Sequence, residues 1–149
     1  MGGFSTNLWS YEGDNKEFRG KSVQMARLAY ILLCHRDPEG IIAQARRLIA
    51  GGDYVAIHVD ANAPDAVFDR VEAALSGDAH VAFARRVRCG WGEWSLVRAT
   101  LNAVELADRT FPKATHFYMA SGDCMPIKSA RYVHDFLDAE DRDYMFHPG

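Results

Sequence analysis

Residues 115–128 read THFYMASGDCMPIK, a stretch that joins a strand-like run to a polar turn. Its first part, residues 116–120, is apolar and aromatic, which is typical of a buried strand. The run stops at Ser121-Gly122-Asp123, where the glycine permits a tight reversal of the chain. Asp123 is therefore expected just beyond the carboxyl end of a strand, where open α/β sheets bind their ligands. A plain strand-to-helix connection is the competing interpretation.

The composition of the 149 residues, 48% hydrophobic and 25% charged, is typical of one soluble globular domain. A formal charge of -3 provides no basic field, so no nucleic-acid partner is expected. The three cysteines have no CxxC spacing and are interpreted as reduced thiols, most of them buried. Neither a membrane-spanning apolar run nor a signal peptide is visible, which predicts a cytoplasmic protein, with peripheral membrane contact as a further option.

Strand-like and helix-like segments alternate along the chain, which predicts an α/β three-layer sandwich with a mostly parallel central sheet. Apolar strands are expected at residues 26–34, 54–59, 80–84 and 116–120. Helices are expected after Asp37, at Pro64-Asp65, after Ser95 and near Ala130. The third helix is expected to be capped by Ser95 and to run through Leu96, Val97, Thr100, Leu101, Val104 and Leu106.

The two ends of the chain differ from the region between them. Residues 1–24 are polar and glycine-containing, and they are interpreted as a flexible leader or extension. Residues 25–149 contain the predicted strands and helices and are interpreted as part of a larger domain. A strand-like start at residues 143–146, close to the chain end, suggests a truncated sheet.

Four loops of the predicted sheet carry polar or aromatic residues at one edge. His35-Arg36, Asp60 and Ser121-Gly122-Asp123 each follow a strand, and a Gly-Trp-Gly-Glu-Trp-Ser segment lies at residues 90–95. Carboxyl ends of parallel strands meet at the same edge. A cation for a diphosphate, a carboxylate for a base or ribose, and a flat aromatic such as Trp91 together predict a nucleotide-sugar pocket.

Each of these residues also has a purely structural interpretation. Asp60 can cap the turn that follows it, His35 can be a buried packing residue, and Arg36 can be a surface charge. Trp91 can anchor a helix rather than stack on a ligand. His58, on a strand between apolar residues, is interpreted as structural.

Several well-known catalytic motifs are missing from the sequence. There is no GxGxxG, P-loop, HExxH or GxSxG motif, and no DxD pair follows a strand. No histidine-based dyad is evident beside Cys124, so a thiol nucleophile is not expected. The cluster Arg85, Arg86 and Arg88 is interpreted as solvated.

Four segments, in this order, resemble the core-2/I-branching β-1,6-N-acetylglucosaminyltransferase family, which also contains peptide O-xylosyltransferases. They are LAYILLCHRDP (28–38), YVAIHVDAN (54–62), WGEWSLVRATLNAVELA (91–107) and HFYMASGDCMPIKS (116–129). The resemblance covers roughly residues 26–137. It implies a GT-A-type fold and an inverting, metal-independent transfer of N-acetylglucosamine or a related sugar from a UDP-sugar to a glycan hydroxyl.

The resemblance also implies roles for individual residues. His35 and Arg36 lie in the uridine-binding loop, Asp60 contacts the nucleotide, and Trp91 is the aromatic of the nucleotide pocket. Ser121, Gly122 and Asp123 lie beside the donor sugar, although the family usually places its acid one position later.

The catalytic base and the diphosphate-binding cations of the family are expected downstream, so no catalytic residue is assigned. The chain is then the donor-binding half of a bacterial-type glycosyltransferase acting in surface polysaccharide or glycoconjugate assembly. No metal and no cofactor beyond the UDP-sugar are expected. The alternatives are a non-catalytic nucleotide-binding α/β module and an inactive structural fragment.

Overall fold

Four parallel strands alternate with four helices in the computed structural model, which describes residues 25–139. The elements are β1 (Leu28–Cys34), α1 (Pro38–Ile49), β2 (Tyr54–Val59), α2 (Asp65–Leu75), β3 (Val81–Phe83), α3 (Trp94–Thr110), β4 (His116–Ser121) and α4 (Ala130–Ala139). The predicted α/β class is confirmed, and the alternation is consistent with a Rossmann-like, GT-A-type fold. The expectations for residues 1–24 and 143–146 lie outside the described residues. No helix in the described range is long and apolar enough to cross a membrane.

Strand β1 lies at the centre of the sheet, whose strand order is β3-β2-β1-β4. It pairs in parallel with β2 on one side and β4 on the other. Six of its seven residues are buried, because helices cover both faces of the strand. This double coverage explains the nearly continuous apolar run of residues 28–34.

The helices are divided unequally between the two faces of the sheet. One face packs Leu28, Leu32 and Ile57 against α1 and α2, with residues of α4 adding to the same core. The other face presents small side chains, among them Ala29 and Ala56, to α3 alone. The helices on both faces agree with the prediction.

Helix α3 packs its alanines, and not its largest apolar side chains, most deeply against the sheet. Its buried residues are Ala99, Ala103 and Ala107, whereas Val97 and Leu101 are 41% and 48% exposed. Alanines on both surfaces let the helix approach the sheet closely, so the larger side chains turn outward. The predicted Ser95 cap is wrong, because the helix begins at Trp94.

Strand β4 is more exposed than its apolar sequence predicts. Phe117, Tyr118 and Met119 are 44%, 58% and 61% exposed. Within the described range β4 is an edge strand that pairs only with β1. Its side chains therefore meet neighbours mainly on one side.

Polar contacts cap the start of helix α1 and attach helix α4 to the sheet. Asp37 precedes α1 as predicted, with its carboxylate accepting a hydrogen bond from the Gly40 N–H at 3.1 Å. At the opposite edge of the sheet, the buried Asp53 carboxylate accepts from the Leu28 N–H at 2.9 Å and from His134 Nε2 at 2.7 Å. The second contact attaches α4 to the starts of β1 and β2.

Candidate functional site

The loops after β1, β2 and β4 meet at the carboxyl edge of the sheet. The Asp60 N–H donates to the Cys34 carbonyl at 2.8 Å, and the Gly122 N–H donates to the Leu33 carbonyl at 2.9 Å. The Ala61 N–H donates to the Val87 carbonyl at 3.0 Å, which brings in the segment after β3. The structure thus places these predicted site loops side by side.

An ion pair joins the first loop to the last. Arg36 Nη2 lies 3.2 Å from Asp123 Oδ2, and the two side chains are 70% and 48% exposed. Exposed pairs of this kind contribute about 0–1 kcal/mol to stability, so both groups stay available to a ligand. The adjacent His35 is exposed, which shows that it is not a buried packing residue.

Asp60 ties two loops together through one oxygen of its carboxylate. Oδ1 accepts from the Asn62 N–H at 2.7 Å and from the Cys89 N–H at 3.2 Å. The turn-capping interpretation of Asp60 is therefore confirmed. Among the described residues no hydrogen bond ends on Oδ2, so the second oxygen is free to accept one from a ligand.

Arg86 holds the loop after β2 in place, a role that the sequence analysis did not predict. Its guanidinium donates to the Asp65 carboxylate at 2.7 Å and to the carbonyls of Asp60 and Ala63 at 3.1 and 2.9 Å. It also lies 5.2 Å from the centre of the Phe68 ring. The interpretation of Arg86 as solvated is wrong, because its hydrogen-bond partners are groups more than twenty positions away that local sequence does not reveal.

His58 lies beneath the same loops and is structural, as predicted. Its side chain is buried, and Nε2 accepts from the Val87 N–H at 3.0 Å. Burial lowers the pKa of His58; the negative charge of Asp60 opposes the change, and the positive charge of Arg86 adds to it. The imidazole therefore acts here as a neutral acceptor.

The loop at residues 90–95 presents its aromatic side chains to solvent. Trp91 is 100% exposed and Trp94 is 66% exposed. Ser95 Oγ accepts from the Gly90 N–H at 2.9 Å, so this serine orders the loop instead of capping the helix. An exposed Trp91 does not anchor the helix, and its indole face is accessible for stacking.

A side chain of helix α1 holds the turn at Ser121–Cys124 in place. The buried Gln44 amide nitrogen donates to the Ser121 carbonyl at 3.1 Å and also to the Cys124 carbonyl. Gly122 is required for close approach: a Cβ there would lie 2.9 Å from Cys34 Sγ. Its backbone does not have the positive φ that the predicted tight reversal would favour.

The buried Cys34 is not suited to act as a nucleophile. Burial raises the pKa of the Cys34 thiol to about 12, and the charge of Asp123 adds to the rise, so the thiol is protonated. Cys89 is partly buried and Cys124 is exposed, which corrects the expectation that most of them are buried. Across residues 25–139 no three His, Cys, Asp or Glu side chains form a metal-ligand group.

The site is an open surface on which cationic, anionic and aromatic groups meet. His35, Arg36, Asp60, Gly122 and Asp123 lie on one sheet edge, with Ser121 exposed at the end of β4. Trp91 lies two positions after Cys89, whose N–H donates a hydrogen bond to Asp60. Such a surface can bind a diphosphate and stack a planar base.

Comparison with known proteins identifies relatives of this chain. The family described as core-2/I-branching enzyme matches residues 28–148. Over 103 residues the chain is 29% identical to the human protein beta-1,3-galactosyl-O-glycosyl-glycoprotein beta-1,6-N-acetylglucosaminyltransferase 3. That alignment covers 68% of this chain and 24% of the human protein, so the match spans about a quarter of the relative's length.

Proposed function

This chain belongs to the core-2/I-branching enzyme family, and on that premise we propose that it forms the donor-binding part of a glycosyltransferase. The sequence resemblance to this family is thereby confirmed. The proposed reaction is an inverting, metal-independent transfer of N-acetylglucosamine or a related sugar from a UDP-sugar to a glycan hydroxyl. The observation that carries the proposal is the meeting of the loops of Arg36, Asp60 and Asp123 at one sheet edge, with the exposed Trp91 on the loop that is hydrogen-bonded to Asp60.

Among the described residues the diphosphate is assigned to the Arg36 guanidinium, in addition to the cations that the family resemblance places downstream. A planar guanidinium can donate two parallel hydrogen bonds to phosphate oxygens, and its positive charge stabilises the departing diphosphate. The contact requires Arg36 to exchange its exposed partner Asp123 for phosphate. The small energy of that ion pair makes the exchange inexpensive.

The nucleoside is assigned to Asp60 and Trp91. Asp60 Oδ2 offers an acceptor for a ribose hydroxyl or a base N–H while Oδ1 keeps the loops in place. The fully exposed indole of Trp91 offers a stacking surface for the uracil ring. Asp123, on the adjacent turn, is assigned to the donor sugar.

Transfer itself makes the bond from the acceptor oxygen to the sugar C1 and breaks the bond from C1 to the phosphate oxygen. The acceptor proton goes to a base, and the electron pair of the broken bond leaves with UDP. We assign no base among the described residues. This chain's own contribution is to hold the donor and to stabilise the charge on the leaving group.

Calorimetry with UDP and UDP-N-acetylglucosamine, with and without EDTA, tests the proposal. We expect binding that EDTA leaves unchanged. Asp60→Asn keeps an oxygen for the Asn62 and Cys89 N–H groups but removes the charge, and it should weaken binding by about tenfold. Asp69→Asn, an exposed change on α2, is the matched control and should bind normally.

Two results would contradict parts of the proposal. A folded chain that binds neither ligand would rule out a donor site built by these loops. Binding that disappears in EDTA would rule out metal independence while leaving the donor site intact.

A further inference from the structure

A basic groove lies beside β3, on the outer side of the sheet from β1 and β4. It has a volume of ≈ 370 Å³ and is lined by the carboxyl end of β3 and one side of α3. Its polar lining residues are Arg85, Arg98, Asn102, Glu105 and Arg109. We use the name basic groove for the surface formed by these five residues.

Helical periodicity places four of these residues in one row. Residues 98, 102, 105 and 109 are separated by four, three and four positions, so they lie on one face of α3. At 1.5 Å per residue the row is about 16 Å long. The groove is therefore an elongated surface that suits a chain-like ligand.

The charge of the groove is opposite to that of the whole chain. Three arginines face one glutamate, whereas the formal net charge of the 149 residues is -3. Within residues 25–139 none of the three arginines forms an ion pair, although Arg109 Nε donates to the Glu105 carbonyl at 3.2 Å. All three are exposed, and a concave surface concentrates their field.

We propose that the basic groove binds an anionic glycan that carries carboxylate or sulfate groups. Guanidinium groups bind both anions through paired hydrogen bonds, and the Asn102 amide can bond to sugar hydroxyls. The acidic chain as a whole disfavours a nucleic acid, and a concave row fits a strand better than a flat bilayer. The proposal rests on the proposed function in that it names the class of acceptor.

The position of the groove connects it to the donor site. Helix α3 begins at Trp94, in the exposed loop of Trp91, and Arg98 lies one turn further along. A glycan held in the row would reach the sheet edge at the end where the helix begins. This continuity favours an acceptor-side role for the groove.

The test measures binding of a heparin hexasaccharide and of a neutral cellulose hexasaccharide by calorimetry at low and moderate salt. Arg98→Gln/Arg109→Gln removes two groove charges. Arg46→Gln/Arg47→Gln is the matched control, because it removes two exposed arginines from the last turn of α1. We expect the sulfated probe to bind, the groove variant to bind it at least about tenfold more weakly, and the control to differ by less than about twofold.

Several outcomes would overturn the proposal. The first is an equal loss of affinity for the sulfated probe in both double variants. The second is equal affinity of the wild-type chain for the neutral and the sulfated probes. The third is binding only to phosphatidylserine vesicles or to an acidic peptide. If the double variant does not fold, Arg85→Gln supplies the same comparison against Arg46→Gln. UDP titrations on the same variants separate the two proposals, since the groove variant should keep UDP binding and Asp60→Asn should keep glycan binding.

Discussion

Arg36 and Asp123 meet across the ends of two neighbouring strands, with 3.2 Å between Nη2 and Oδ2, although 87 positions separate them in the sequence. The pair exists because β1 and β4 are adjacent and parallel, so both following loops emerge at one edge. Its two members are of opposite charge and largely solvated. A phosphate that takes over Arg36 therefore releases Asp123 for a second contact.

Replacement of Arg36 tests this exchange. Arg36→Gln should weaken UDP binding by about tenfold, because the diphosphate loses a charged partner. Asp123→Asn should leave UDP affinity unchanged but reduce the preference for UDP-N-acetylglucosamine over UDP. Calorimetry on both variants measures these effects, and weaker UDP binding in Asp123→Asn would contradict the assignment of Asp123 to the sugar.

Close packing between the ends of β1 and β4 makes Gly122 sensitive to substitution. Gly122→Ala places a methyl group against Cys34 Sγ, and we expect it to destabilise the fold by about 1–3 kcal/mol. In a Cys34→Ala background the same change should cost less, because the sulfur is gone. Urea unfolding of the four chains measures the coupling, and additive effects would refute a direct contact.

The buried His58 predicts a pH dependence of stability. In the unfolded chain His58 binds a proton below about pH 6.5. In the folded chain its lowered pKa keeps the His58 imidazole neutral at the same pH. The unfolded state then binds more protons, so the stabilisation is complete above this pH and decreases as pH falls towards the folded-state pKa.

Urea midpoints between pH 5 and 7.5 measure that dependence. His58→Gln keeps an acceptor for the Val87 N–H and should reduce the pH slope. His35→Gln changes an exposed imidazole and should retain the wild-type slope. Identical slopes for all three chains would exclude His58 as the titrating group.

Arg86 should contribute more to stability than its neighbour in the sequence. Arg86→Met removes the donor of the Ala63 carbonyl and leaves the Asp60 carbonyl with only its bond from the Ala63 N–H, which should cost about 1–3 kcal/mol. Arg85→Met, at an exposed position, should change stability by less than about 0.5 kcal/mol. Thermal unfolding compares the two, and similar losses would mean that the carbonyl contacts contribute little.

The fold was predictable because its strongest signals are local. The apolar run of β1, the Asp37 cap and the alternation of elements each depend on a few adjacent residues, and the structure confirms them. Parallel strands place their following loops together, so the arrangement of Arg36, Asp60 and Asp123 was predictable as well. The roles of these residues in binding stay predictions.

Features that depend on distant partners were not predictable. Arg86 binds carbonyls from another loop, and α3 buries alanines because the facing strands also carry alanines. Gly122 is required by a sulfur 88 positions earlier, and not by its own backbone angle. Each of these depends on tertiary contact, which periodicity and local propensity do not contain.

The Gln44 amide makes the shape of the sheet's carboxyl edge insensitive to salt. The buried Gln44 side chain supports the turn of Asp123 through uncharged hydrogen bonds to the Ser121 and Cys124 carbonyls. Added salt screens the attraction between Arg36 and Asp123 but does not weaken these neutral bonds. Ionic strength therefore adjusts the field at the edge while the shape of the edge stays constant.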